Sequence, residues 1–142
     1  MSAGDFTMHR EVLRVGAREI VLVDTIAHVR PEDAGRLVAT GSHGGVSSAE
    51  YAARAPVAAV FFNDAGIGCD EAGIAGLAEL ERRGIAAGAV SHDSAMIGDA
   101  RETYGFGIVS AVNAQAREAG FRVGDRLAES VAVWAGGAGH AA

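Results

Sequence analysis

Five short apolar runs constrain what this chain can fold into: REIVLVD from Arg18, RLVATG from Arg36, PVAAVFF from Pro56, GIAAGAV from Gly84 and GFGIVSAV from Gly105. Each has the length of a strand, is rich in Val, Ile, Phe or Ala, and matches a strand buried in a sheet. Polar or small-residue segments lie between them, several long enough for a helix. That alternation predicts an α/β fold with a mostly parallel sheet of about five strands and right-handed crossovers. The expected architecture is a single three-layer sandwich, Rossmann-like or flavodoxin-like, with helices on both faces of the sheet. Residues 1–134 form the domain in this reading, and the Gly/Ala-rich residues 135–142 form a flexible tail.

Local signals add detail. REVLRVG, from Arg10 to Gly16, reads as an edge strand in a hairpin with the next run, or as a short helix. Pro31, Glu32 and Asp33 suit the first turn of a short helix, where a missing amide and negative charge are both tolerated. The segment TIAHVRPEDAG around them is barely long enough for a parallel crossover. Ser47 followed by Glu50 has capping-box spacing, which predicts a helix from Ser47 that stops before Pro56. A second helix is expected from Asp70 to Gly84, with Ile74, Leu77 and Leu80 facing inward. Gly73 and Gly76 cost that helix about 1 kcal/mol each, so a close approach to the sheet or to a neighbouring subunit is expected there. Asn113 to Ala119 reads as a short helix, and Asp125 precedes a last one, RLAESVAVW.

Charge excludes several function classes. With 12 basic and 18 acidic residues the net charge is −6, and every basic residue is arginine. Without lysine there is no Schiff-base or pyridoxal-phosphate anchor, P-loop lysine or lysine base. No basic stripe is available to neutralise a phosphate backbone, so nucleic acid is not expected as a partner. No apolar run approaches the roughly 18 residues that cross a bilayer, so no membrane partner is expected either. The start, MSAGDFTMHREV, has Asp and His where a signal peptide is apolar, which predicts a cytoplasmic protein. The single cysteine cannot form an internal disulfide. An apolar content of 49%, glycine-bearing helices and a sparsely charged last helix predict self-association, most simply as a symmetric dimer.

In open parallel sheets ligands bind beyond the carboxyl ends of the strands, where the strand order reverses. That rule gathers Asp24, Ser42, His43, Asn63, Asp64, Ser91 to Ser94, Ser110 and Asn113 at one edge. Turn chemistry alone favours such residues after strands, but two of the five histidines lie on these loops.

GSHGG, Gly41 to Gly45, combines glycine freedom with a following helix. The Gly44 and Gly45 amides are therefore candidates for an anion or oxyanion cradle. The string resembles the His-Gly-Gly loop that supplies oxyanion donors in α/β-hydrolases. The G-x-S-x-G nucleophile elbow of that family is missing, and the chain is not assigned to it. FNDAGIGCDEAG repeats the design after the third run. Its G-x-G has Glu71 where a dinucleotide fingerprint needs a third glycine, so a dinucleotide site is disfavoured. Cys69, at the expected helix entrance, is a nucleophile candidate, although a lone cysteine beside glycines is more often a small core residue. In SHDSAMIGDARETYG, His92 offers acid-base chemistry, with Asp64 or Asp24 as its orienting partner. Arg101 is placed to clamp a carboxylate or phosphate, or to pair with Glu102 or Asp99. His43, His92, Asp24 and Asp64 have the chemistry of Zn²⁺ or Mn²⁺ ligands but no recognised spacing.

These observations predict a small cofactor-free enzyme, first a hydrolase of an amide or ester in a small polar or anionic metabolite. Lyase or isomerase chemistry is the alternative. His92 is the expected base or acid and Asp64 its orienter. His43 is a further catalytic residue, and Ser42 or Cys69 a nucleophile. Gly44, Gly45, Asn63, Asp24, Ser91, Ser94, Arg101 and Asn113 are expected to bind substrate. A non-catalytic module for a small anion or nucleotide, or an accessory subunit, is the competing class.

Overall fold

The computed structural model describes residues 10–68 and 71–137. Its six strands are β1 (Arg10–Val15), β2 (Arg18–Val23), β3 (Leu37–His43), β4 (Ala59–Asn63), β5 (Ala86–Val90) and β6 (Val109–Val112). Five α-helices accompany them among the described residues: α1 (Val46–Ala52), α2 (Gly76–Arg82), α3 (Ala100–Gly105), α4 (Ala114–Glu118) and α5 (Leu127–Ala132).

The strands form one mixed sheet in strictly sequential order, β1 to β6. β1 and β2 make an antiparallel hairpin, turned at Gly16, whose φ of +57° favours glycine. The ladders from β2 through β5 are all parallel. The sheet is therefore mostly parallel, as the apolar runs predict. Its order never reverses, so it lacks the switch point of Rossmann-like and flavodoxin-like sheets.

Two further expectations are corrected. The run containing β6 lies antiparallel to β5, with Gly88 opposite Val112. Its direction follows from the connection before it: α3 packs against β3, and the chain returns to the edge it left, where the Ser91 amide bonds the Ile108 carbonyl. α1 starts at Val46 with Gly45 as N-cap and no side-chain cap, not at Ser47 with a capping box.

Alternation along the strands sends side chains into two clusters. Ile20, Leu22, Leu37, Ala39 and Phe61 pack with Ala100 of α3, Leu127 and Val131 of α5, and Phe121. Their neighbours Val21, Val23, Val38, Val60 and Phe62 pack with Ala49 and Ala52 of α1 and Leu77 and Leu80 of α2. Each fully buried Phe or Leu contributes about 1.5–3 kcal/mol. β5, AAGAV, has little bulk of its own, and that is its fit to the sheet. A Cβ at Gly88 would lie 2.5 Å from the Phe61 ring, and Phe61 in turn packs on Phe121 at 4.8 Å between centroids.

Beyond α5 the helical path continues through a π turn, Val133–Gly137. Ala135, the first residue of the expected tail, is buried, and its carbonyl takes the Ala17 amide at 3.3 Å. No helix among the described residues is long and apolar enough to cross a membrane.

Candidate functional site

Register places the ends of three adjacent strands level with one another: His43 of β3 lies opposite Asn63 of β4, and Asn63 lies opposite Val90 of β5. His43, Asp64 and His92 therefore share one rim. β3 runs further than expected, so Ser42 and His43 end a strand instead of occupying the turn.

Asp64 is buried, and its acceptors are filled by the structure around it. Oδ1 accepts the amides of Gly66 at 2.8 Å and His92 at 3.0 Å, while Oδ2 accepts the Ser110 hydroxyl at 2.7 Å. The His92 ring lies above: its Nδ1 is 3.6 Å from Asp64 Oδ1 and its Nε2 is 3.2 Å from Asp93 Oδ1. The first distance exceeds a hydrogen bond. The ring is half exposed, so it can meet a ligand.

Between the histidines runs an unusual turn. Ala65, Gly66, Ile67 and Gly68 all have positive φ, from 53° to 77°. A β-branched Ile in the left-handed region is strained by roughly 1–3 kcal/mol. This turn touches both neighbours: a Cβ on Gly66 would stand 3.4 Å from the His92 ring, and Ala65, Ile67 and Gly68 line a cavity of about 220 Å³ with His43. Glu71 is also left-handed, at φ 59°, and α2 begins at Gly76 instead of Asp70.

The expected amide cradle is already bonded internally. The Gly44 amide donates to the Gly73 carbonyl at 2.8 Å, and the Gly76 amide to the Gly44 carbonyl at 2.7 Å. The Gly45 amide donates to His43 Nδ1 at 3.0 Å, so a neutral His43 carries its proton on Nε2. Gly73 and Gly76 thus serve a close internal approach. A Cβ on Gly73 would fall 2.0 Å from the Asp64 carbonyl oxygen, and one on Gly76 2.3 Å from that of Gly45.

His43 also borders a second cavity of about 370 Å³, lined with Asp24, Thr25, Gly41, Ser42, Ser48, Ile97 and Gly98. Asp24 Oδ1 accepts the Ala100 amide at 2.9 Å, and Ser42 Oγ accepts the Ile26 amide at 3.0 Å. The segment before α3 is seated on β3, where the Gly98 amide bonds the Gly41 carbonyl at 2.8 Å.

Several expected ligand-binders have structural partners. Asn63 is fully buried, donating to the Ala95 carbonyl and accepting the Ala65 amide. Ser91 and Ser94 bond each other, and Ser94 Oγ also accepts the Ile108 amide. Arg101 pairs with Glu11 of β1 at 3.1 Å. Asn113 is at the opposite edge, a consequence of the antiparallel β6. It caps α4 and bonds the Leu77 and Ile85 carbonyls and the Ala87 amide. Cys69 lies outside the described residues.

Among the described residues no group of three or more His, Cys, Asp or Glu is arranged to hold a metal ion. The chain matches no family model, no curated protein and no solved structure. Function must be argued from the rim itself.

Sequence reasoning passed over Ser48 and gave Ser110 no role. Both carried a signal. Ser48 interrupts the inward stripe of α1 beside the buried Ala49 and Ala52, and Ser110 interrupts the apolar run of β6.

Proposed function

We propose that this chain is a small enzyme performing histidine-assisted acid-base chemistry on a small polar metabolite at the carboxyl rim of β3, β4 and β5. One observation carries the reading: a single strained turn, Ala65 to Gly68, is bordered by His43 on one side and by His92, above buried Asp64, on the other. Two imidazoles on either side of one turn are the groups suited to act as proton acceptor and proton donor. Asp64, fixed by three donors, is positioned to stabilise a protonated His92.

The chemistry that fits is proton transfer of the lyase or isomerase kind. Hydrolysis of an amide or ester needs donors for an oxyanion, whereas the Gly44 and Gly45 amides have internal acceptors. Ser110 bonds Asp64 and not a histidine, so it does not complete a nucleophile-base pair. The scheme calls for no cofactor. The two core clusters support reading the fold as a three-layer sandwich. Exposed Phe106, Ile108 and Val123 support the symmetric dimer, and a concentration-independent monomer in light scattering would remove it.

The test is turnover of a panel of small metabolites by wild type, His43→Ala and His92→Ala. Both side chains are exposed, so both variants should fold with unfolding midpoints near wild type. Each should lose at least about a hundredfold in kcat, the contribution typical of a positioned acid or base. Full activity in either variant, or loss of folding in both, removes the catalytic assignment.

A further inference from the structure

The acid-base site proposed for the rim leaves its substrate unnamed, and the ligand class assigned to the smaller His43 cavity rests on that site. This cavity, of about 220 Å³, is lined by His43, Ala65, Ile67, Gly68, Ala72 and Gly73. Apart from the imidazole, no side chain in this lining is polar. Its backbone donors are engaged as well: the Ala65 amide bonds Asn63 Oδ1, the Ile67 amide the Asp64 carbonyl, the Gly68 amide the Gly66 carbonyl, and the Gly73 amide the Ile67 carbonyl. A charged or hydroxyl-rich group entering here would lose water and meet no new partner except His43, which is unfavourable. An apolar group gains by the same move. The space suffices, since an apolar cavity of about 150 Å³ accommodates a benzene ring.

Ile67 is the informative residue. Its φ of +68° is strained for a β-branched side chain, whereas glycine, which stands on both sides of it, adopts such a φ freely. Core packing does not account for an isoleucine here, because Ile67 belongs to neither core cluster. It is half-buried, and its side chain is the bulkiest apolar group in the lining of the His43 cavity. The strained residue is therefore the one that gives this cavity its apolar wall, and strain retained in this way marks a functional position.

We infer that this cavity takes a compact uncharged apolar group, a branched alkyl or phenyl arm of a small polar metabolite, and that Ile67 sets the preference for it. His43 also borders the 370 Å³ cavity, so a ligand with its arm beside Ile67 can extend its polar part past the imidazole.

The probes are neutral amides: acetamide, isobutyramide and isovaleramide, whose arms differ only in carbon, and 2,3-dihydroxypropanamide, which matches isovaleramide in heavy atoms but has a polar arm. Each is titrated into the full chain, and affinity is read from amide chemical shifts of Ala65, Ile67 and Ala72 and from the His43 ring. Affinity should rise about threefold per added carbon from acetamide to isovaleramide. The dihydroxy amide should bind about tenfold more weakly than isovaleramide. Ile67→Gly should weaken isovaleramide by about tenfold and acetamide by less than about twofold. Its unfolding midpoint should hold or rise, so that lost binding is not lost folding. Ala72→Leu, which fills the cavity from an exposed position, should weaken isovaleramide in the same way. Affinity that stays flat along the alkyl series overturns the inference, as does equal or tighter binding of the dihydroxy amide. So does isovaleramide affinity unchanged by both variants, or the absence of shifts at these residues with every probe. Selective binding of the alkyl arms without turnover of any metabolite upholds this ligand class while removing the enzyme reading. Turnover of a metabolite with no apolar arm, at a rate that Ile67→Gly leaves unchanged, does the reverse.

Discussion

Replacing Asp33 by Asn tests how the first edge of the sheet is tied to the rest. Asp33 is fully buried at the end of a single 3-10 turn, Pro31–Asp33. Its Oδ1 accepts from Arg10 at 2.8 Å and Arg36 at 3.0 Å, and its Oδ2 accepts from Arg10 at 3.0 Å and the Arg30 amide at 2.9 Å. Burial pushes this carboxyl upward, but the Arg10 guanidinium, the Arg30 amide and Arg36 together outweigh it and hold it below the usual carboxylate value. Asn preserves the volume and loses the charge. Breaking a buried pair costs roughly 3–5 kcal/mol. The arginines are 13% and 22% exposed, and Arg36 keeps Glu19 at 2.8 Å, so the lower end applies, about 3 kcal/mol. Unfolding entropy of about 2.1 cal/mol/K per residue gives this chain roughly 0.3 kcal/mol/K, so Tm should fall by about 10 °C. The sign with pH is set by the lowered pKa. The ionised carboxylate's contribution is fully present above the unfolded value near 4 and disappears as pH falls through the folded one. Asn does not titrate at all. Urea denaturation of both proteins should therefore show a constant gap from about pH 7 to 5 that narrows below about pH 4. A gap under about 1 kcal/mol at neutral pH, or one that widens in acid, refutes this account of the edge.

Two further substitutions probe the backbone around the rim. Ile67→Gly should raise Tm by a few degrees, because relief of roughly 1–3 kcal/mol of left-handed strain exceeds the roughly 0.5–1 kcal/mol entropy cost of glycine; calorimetry showing a lower Tm would mean the strain is not there. Gly76→Ala separates local propensity from packing: propensity alone predicts a gain of about 1 kcal/mol, while a Cβ 2.3 Å from the Gly45 carbonyl oxygen predicts a loss of about 1–3 kcal/mol. Unfolding midpoints decide the sign, and amide shifts at Gly44, Gly45 and His43 should accompany the loss.

Much of the fold was legible because its strands are apolar runs with polar ends. The carboxyl rim was legible for the same reason: a buried run that ends on Asn63 and Asp64 or on Ser91 and His92 marks where the chain leaves the sheet. Direction was not. GFGIVSAV reads the same whether parallel or antiparallel, and only the path of residues 91–108 across the sheet decides it. That one reversal moves Asn113 to the far edge while leaving Ser110 beside Asp64. The start of α2 is hidden from the sequence because Glu71 and Ile67 occupy left-handed conformations that no side-chain preference announces. The role of the Gly44 amide is hidden because its acceptor, Gly73, is a long-range backbone partner.

The glycines that looked like flexible catalytic hardware act as seams. Gly44 and Gly45 close against Gly73 and Gly76, and Gly41 closes against Gly98, where an added Cβ would lie 2.3 Å from backbone. Backbone contact this close fixes His43 from two sides, through its own strand and through the Gly45 amide on Nδ1. A histidine so held cannot easily turn its Nδ1 outward, and whatever proton it exchanges with a ligand must pass through Nε2. His92 is different in kind, a half-exposed ring resting on a turn and a buried carboxylate. The rim thus pairs an imidazole held at Nδ1 with a half-exposed one lying over Asp64 and beside Asp93. In the proposed chemistry the ring over a carboxylate is the one suited to hold the proton, and the ring held at Nδ1 the one suited to orient the group that loses it.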